Sequence, residues 1–116
     1  MTPPATALIR VAFWVSLFSV VVLSLLPTEQ LPPQVSLVWD KAQHAAGFAG
    51  LAVLGLMGYP GSYKRVFIGL LLTGAVIELA QHATGWRHGD LVDLFADFVG
   101  IVVGTGLWMG VKRLKR

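Results

Sequence analysis

The chain has 116 residues, of which 55% are hydrophobic and 13% charged, and its formal net charge is +3. A soluble domain carries about 25% charged residues, so this composition excludes an ordinary solvated surface and favours an integral membrane protein. There is no cysteine, which excludes disulfides and thiolate metal sites.

Four apolar runs follow one another along the chain, at about residues 8–26, 42–59, 66–83 and 91–111. Each is close to the ~20 residues that cross a hydrocarbon core of ~30 Å, and lipid requires the backbone of such a run to be helical. The first run is long for a signal peptide and no small-residue cleavage site follows it, so we expect it to be retained. The sequence predicts an all-α fold: a single domain, residues 1–116, that forms a bundle of four transmembrane helices.

The segments between the runs contain helix-breaking residues. The first run is followed by Pro27, Pro32 and Pro33, which cannot donate the backbone hydrogen bond of a helix. Pro60-Gly61-Ser62 separates the second run from the third, and Gly85 and Gly89 separate the third from the fourth. These breaks support four separate helices.

The distribution of lysine and arginine predicts that both termini are cytoplasmic. In that orientation only Lys41 and Arg87 lie outside, and the inner side holds the other seven basic residues: Arg10, Lys64, Arg65, Lys112, Arg113, Lys115 and Arg116. The last four belong to KRLKR, which directly follows an apolar run and is typical of a juxtamembrane anchor on anionic lipid. We therefore expect membrane lipids, and no nucleic acid, as partners.

All six acidic residues fall in the outer half of this arrangement: Glu29, Asp40, Glu78, Asp90, Asp93 and Asp97. With a helical rise of 1.5 Å per residue, we expect His44, Glu78 and Asp97 to lie roughly 3 to 9 Å below the outer edge of their helices. Three helices thus bring polar side chains to similar depths, which predicts one shared site in the outer leaflet.

Residues spaced three and four apart predict which helix faces point inward. The proposed stripes are Asp40, Lys41, His44 and Phe48 on the second helix, Glu78, Gln81 and His82 on the third, and Asp90, Asp93, Asp97, Gly100 and Gly104 on the fourth. Small residues at that spacing let helices approach closely, and acids facing lipid would oppose insertion by up to about 2.5 to 3.5 kcal/mol each. We therefore expect the acids to face the other helices.

The ionisable residues of the predicted site include more acids than bases. Lys41, Arg87, His44 and His82 are the available partners, so either some acids are protonated or a cation joins them. The residue types of His44, His82, Glu78, Asp93 and Asp97 suit a metal, but no HExxH or comparably tight motif is present, and we predict neither a metal nor a cofactor. The candidate site residues are Asp40, Lys41, His44, Glu78, Gln81, Arg87, Asp93 and Asp97.

Three segments resemble the VanZ-like family of small bacterial membrane proteins: DKAQHAAGF at 40–48, IELAQ at 77–81 and WRHGDLVDLFADFVGIVVG at 86–104. Many members carry asparagine where this chain has Asp97. The resemblance implies a multi-helix protein of the bacterial inner membrane. It also implies a link to the cell envelope and to resistance against the glycopeptide teicoplanin, without implying a particular reaction.

Four functions compete on the sequence. The favoured one is a polar site that binds or acts on a cell-envelope component, such as a lipid-linked precursor or glycan. The second is a membrane enzyme in which Glu78 or an aspartate acts as general base with His44 as its partner. The third is ion or proton transport, although the inner halves of the helices contain no acid for a relay. The fourth is a purely structural polar cluster that holds the helices together.

Overall fold

The computed structural model describes residues 2–26, 37–85 and 91–115, and the side chains of 37–40 lie outside that description. It contains four α-helices: α1 (Pro3–Leu25), α2 (Leu37–Gly58), α3 (Tyr63–Thr84) and α4 (Leu91–Leu114). Each predicted apolar run lies largely within one of them, so the all-helical prediction is confirmed. The proline-rich break after α1 lies outside the described residues.

The helix ends follow from local sequence. The Thr2 hydroxyl accepts a hydrogen bond from the Ala5 amide at 3.3 Å, and prolines occupy the first turn, where their missing N–H costs nothing. α1 therefore starts five residues before the predicted apolar run. α3 ends at Thr84, and the next residue, Gly85, has a φ of 78°, the left-handed conformation that commonly terminates a helix.

Three of the described helices, α1, α3 and α4, are long and apolar enough to cross a membrane. They contain 23, 22 and 24 residues, which corresponds to roughly 33 to 36 Å at the helical rise. Large apolar side chains point away from the bundle on all three; Phe18, Leu79 and Phe95 are more than 60% exposed. This pattern is the one expected of a membrane protein, because the outer surface is apolar where that of a soluble bundle would be charged.

The helices alternate in direction. Contacts of Arg10 with Gly58, and of Ser24 with Gln81, show that α1 runs antiparallel to α2 and in the same direction as α3. α4 runs in the same direction as α2, because Lys41 contacts Asp93 and, one turn further along both helices, His44 contacts Asp97. The buried core lies mainly between α2 and the other helices and includes Phe48, Leu51, Leu56, Leu70, Ile77 and Ile101.

The two ends of the bundle differ in charge. The end where α2 and α4 finish and α3 starts, which we call the basic end, holds six described cations: Arg10, Lys64, Arg65, Lys112, Arg113 and Lys115. Here Arg10 Nε donates to the Gly58 carbonyl at 2.7 Å and its guanidinium lies 4.5 Å from the centre of the Tyr59 ring. The opposite half contains Glu78, Asp93 and Asp97.

Candidate functional site

Two side-chain pairs join α2 to α4. Lys41 Nζ lies 2.8 Å from Asp93 Oδ1, and His44 Nδ1 lies 2.9 Å from Asp97 Oδ1. The spacings explain the double contact: one helical turn separates Lys41 from His44, and one turn separates Asp93 from Asp97. Because the two helices run in the same direction, the pairs stack one turn apart along the interface.

The ionisable side chains of this interface are largely buried, so placing charge on them costs free energy. The side chains of Asp93, Asp97 and His44 are 3%, 1% and 8% exposed, whereas Lys41 is 30% exposed. A buried carboxylate requires partners, because its desolvation costs several kcal/mol. The long Lys41 side chain can cover apolar surface while its ammonium reaches towards water. Accessibility therefore decreases along the interface, from the partly accessible ammonium of Lys41 to the enclosed carboxyl group of Asp97.

Glycine allows α4 to come this close. A Cβ on Gly100 would overlap the Ala45 carbonyl oxygen, and a Cβ on Gly104 would overlap that of Ala49. Both contacts are with backbone of α2, which cannot rotate away as a side chain can. Asp93, Asp97, Gly100 and Gly104 are all buried, so the predicted inward direction of the α4 stripe is confirmed.

α3 completes the enclosure around Asp97. A Cβ on Gly74 would lie 2.9 Å from Asp97 Oδ2 and 3.4 Å from Asp97 Cβ. The carboxyl group is therefore held between His44 of α2 and the bare backbone of α3. Gly74 is not among the predicted site residues, although its position four residues before Glu78 is the signal that could have identified it.

Gln81 connects the site region to α1. Its Nε2 donates to the Ser24 carbonyl at 2.8 Å, and the two residues are 1% and 6% exposed. Ser24 lies in the last turn of α1, where carbonyl groups lack an intrahelical partner, so Gln81 satisfies one of them. Gln81 Oε1 is also buried and accepts no hydrogen bond from the residues that the structure describes. The contribution of Ser24 was not predicted, because it arises from the backbone.

The stripe predicted on α3 is only partly correct. Gln81 is buried and Glu78 is half-buried, with its Oε1 atom inside the protein. His82 is exposed, so its predicted inward position is wrong. The buried stripe instead follows Gly74, Ile77 and Gln81, and the next residue turns about 100° away from it.

Three residues predicted to lie in the site or on its stripes are outside the description: the side chain of Asp40, and all of Arg87 and Asp90. On α2, the predicted stripe is otherwise observed, since His44 is largely buried and Phe48 is fully buried. Among the described side chains, those of 2–26, 41–85 and 91–115, no three histidine or acidic groups converge as metal ligands would.

The geometry supports two kinds of chemistry. The His44–Asp97 contact is the arrangement in which a carboxylate orients an imidazole through one ring nitrogen. The Lys41–Asp93 pair places an ammonium at a partly accessible position, where it can also attract an anionic group.

Comparisons of this chain with models of known protein families, with curated proteins and with solved structures find no match.

Proposed function

We propose that this chain is a bacterial inner-membrane protein with four spans and cytoplasmic termini, and that its polar site binds a cell-envelope component in the outer leaflet. The site comprises Asp40, Lys41, His44, Glu78, Gln81, Arg87, Asp93 and Asp97. The observation that carries the proposal is the pair of stacked contacts, Lys41–Asp93 and His44–Asp97, enclosed in a bundle whose outer surface is apolar.

The charge distribution supports the orientation. Six described cations lie at the basic end, and cytoplasmic ends of membrane helices are enriched in lysine and arginine. In this orientation the polar site lies on the opposite, external side. α2 serves as the fourth span: its 22 residues would reach about 33 Å, and its polar residues face α4.

Ionisable residues inside membrane helices are costly and are retained mainly for function. Lys41 is the most accessible member of the two pairs, and a phosphate or carboxylate of a lipid-linked precursor or glycan could approach its ammonium. The VanZ-like motifs contain Asp40, Lys41, His44, Glu78, Gln81, Arg87 and Asp93. On that resemblance we propose an effect on susceptibility to glycopeptides such as teicoplanin.

A membrane enzyme is the second candidate, and the His44–Asp97 contact favours it. In this reading the carboxyl group of Asp97 holds the imidazole at Nδ1, so that Nε2 exchanges the proton with a lipid-linked substrate. Glu78 would serve as the further acid or base. Turnover of a labelled lipid-linked substrate by the purified protein, lost in His44→Gln, would establish this activity.

The proposal is tested with Glu78→Gln and Asp93→Asn, which keep side-chain shape and remove charge. Membrane level, melting temperature and glycopeptide susceptibility are compared in a strain that depends on this protein. Gln43→Ala is the control, because Gln43 is on α2 but exposed. We expect altered susceptibility at unchanged folded level in the two site variants and not in the control.

Two results would contradict the proposal. Unchanged envelope phenotypes at normal expression would exclude a role in the envelope. A loss of phenotype that always parallels a loss of stability would make the polar residues a structural cluster that holds α2 and α4 together.

A further inference from the structure

A groove runs along the outside of the bundle between α1 and α3. It consists of two adjoining cavities of about 460 Å³ and 260 Å³, both of which contact Thr73. The larger lies towards the basic end, and the smaller extends between Val21 of α1 and Ala80 of α3. The larger cavity is in the size range of small-molecule sites, about 300 to 1,000 Å³.

The walls of the groove are mostly apolar, with Leu17 on one side and Leu70 on the other. α1 and α3 are long and apolar enough to span a membrane, and in a bilayer their outer faces would meet hydrocarbon. An elongated apolar groove along such helices fits an extended acyl chain. Gly69 widens it, because the space where its Cβ would lie is open to 4 Å.

Among the residues that the structure describes, the charged side chain that lines the groove is Arg65, at the end nearer the basic end of the bundle. Arg65 and Ser62 line the larger cavity, and Lys64 is the residue before Arg65. Tyr59 also lines it, and the guanidinium of Arg10 stacks over the Tyr59 ring. If an acyl chain lay in the groove, the headgroup of that lipid would therefore be next to these cations and the Ser62 hydroxyl. A guanidinium matches the geometry of phosphate, and basic residues at the cytoplasmic surface attract anionic lipid.

We infer that the α1–α3 groove binds an anionic glycerophospholipid, with one acyl chain between α1 and α3 and its phosphate at Arg65 and Ser62. This site is separate from the Lys41–Asp93 and His44–Asp97 pairs, which lie in the other half of the bundle and between other helices. It does not depend on the function proposed for them.

The test uses purified, delipidated full-length protein and native mass spectrometry. Phosphatidylglycerol and phosphatidylcholine with identical acyl chains are added separately. We expect the wild type to retain phosphatidylglycerol over phosphatidylcholine by about fivefold, the effect of one basic residue near the membrane surface. Arg65→Gln should abolish most of that preference, whereas Lys112→Gln, at the same end but outside the groove, should keep it.

A second pair of variants tests the acyl-chain position. Gly69→Leu fills the groove and should lose binding of both lipids, while Gly50→Leu, at another exposed glycine with open space around it, should bind as the wild type does. Both replacements should leave the melting temperature unchanged or raised, because they remove a glycine from a helix.

Equal retention by Gly69→Leu and Gly50→Leu would overturn the proposal, as would equal retention of the two lipids by the wild type. If Gly69→Leu instead converts a dimer into a monomer, the groove contacts a second copy of the chain, and the lipid proposal is wrong.

Discussion

Gly74 and Asp97 fit together so closely that a single added carbon would disturb the carboxyl group. The place of a Cβ on Gly74 is 2.9 Å from Asp97 Oδ2, and Asp97 is 1% exposed, so its side chain has little room to move. The contact with His44 fixes the other oxygen at 2.9 Å. Asp97, the most enclosed of the described acids, is thus held in place by the lack of a side chain at Gly74 on α3 and by the His44 ring on α2.

Gly74→Ala is therefore expected to destabilise the protein, although alanine is the better helix former. The gain in helix propensity is about 1 kcal/mol, whereas overpacking a buried site costs about 1 to 3 kcal/mol. The matched control is Gly69→Ala on the same helix, where the added methyl group meets open space and should raise stability. Thermal melting in detergent measures both; equal stabilisation by the two variants would show that Asp97 can move.

Gly100→Ala is expected to have a larger effect than Gly74→Ala. Its methyl group would overlap the backbone carbonyl of Ala45, and only separation of α2 from α4 could relieve the overlap. We expect a loss of about 3 kcal/mol or failure to fold. Gly106→Ala, in open space on α4, is the control and should be neutral or stabilising. A stable Gly100→Ala protein would contradict the close approach of the two helices.

Much of the fold is predictable from the sequence because lipid restricts the alternatives. Apolar runs of about 20 residues must form helices, and the glycine and acid spacing on α4 fixes its inward face. The site is less predictable, because periodicity on one helix does not specify its rotation against a neighbour. Glu78 is followed by both Gln81 and His82 at helical spacing, and the sequence does not say which of the two faces inward. In the structure Gln81 is buried together with Gly74 and Ile77, whereas His82 is exposed.

The sequence also does not show which side chains of different helices contact each other. Lys41 can be matched with any of several acids by depth alone. Its contact with Asp93 follows from the parallel direction and register of α2 and α4, which are set where Gly100 meets Ala45. The Gln81–Ser24 hydrogen bond is similarly hidden, since its acceptor is a backbone carbonyl that every residue possesses.

Asp97→Asn removes the negative charge of this carboxyl group while keeping the shape of the side chain. The amide oxygen can still accept from His44 Nδ1, so we expect a stability change below about 1 kcal/mol. Asp97→Ala leaves the largely buried imidazole without this acceptor and should cost about 1 to 3 kcal/mol. Melting curves and glycopeptide susceptibility are measured for both variants. If Asp97→Asn is as unstable as Asp97→Ala, the negative charge itself holds the bundle together.

Lys41 and Asp93 should behave as a coupled pair. Lys41→Met removes the ammonium from a carboxyl that is 3% exposed, and breaking a buried pair in this way costs about 3 to 5 kcal/mol, less here because Lys41 is 30% exposed. Adding Asp93→Leu removes the buried acid as well and should recover most of that loss. A double-mutant cycle of melting free energies gives the coupling. Additive effects would mean that the 2.8 Å contact contributes nothing to stability.

The proposed orientation can be tested with single cysteines, because the natural chain contains none. Thr84→Cys lies at the end of α3 nearest the polar site, and Lys115→Cys lies just beyond α4 at the basic end. With cytoplasmic termini, a membrane-impermeant maleimide should label Thr84→Cys in intact cells and Lys115→Cys only after permeabilisation. The reverse pattern would place the basic end outside, against the lysine and arginine bias. Labelling of both in intact cells would mean that the chain does not cross the membrane through α4, and the four-span topology would be wrong.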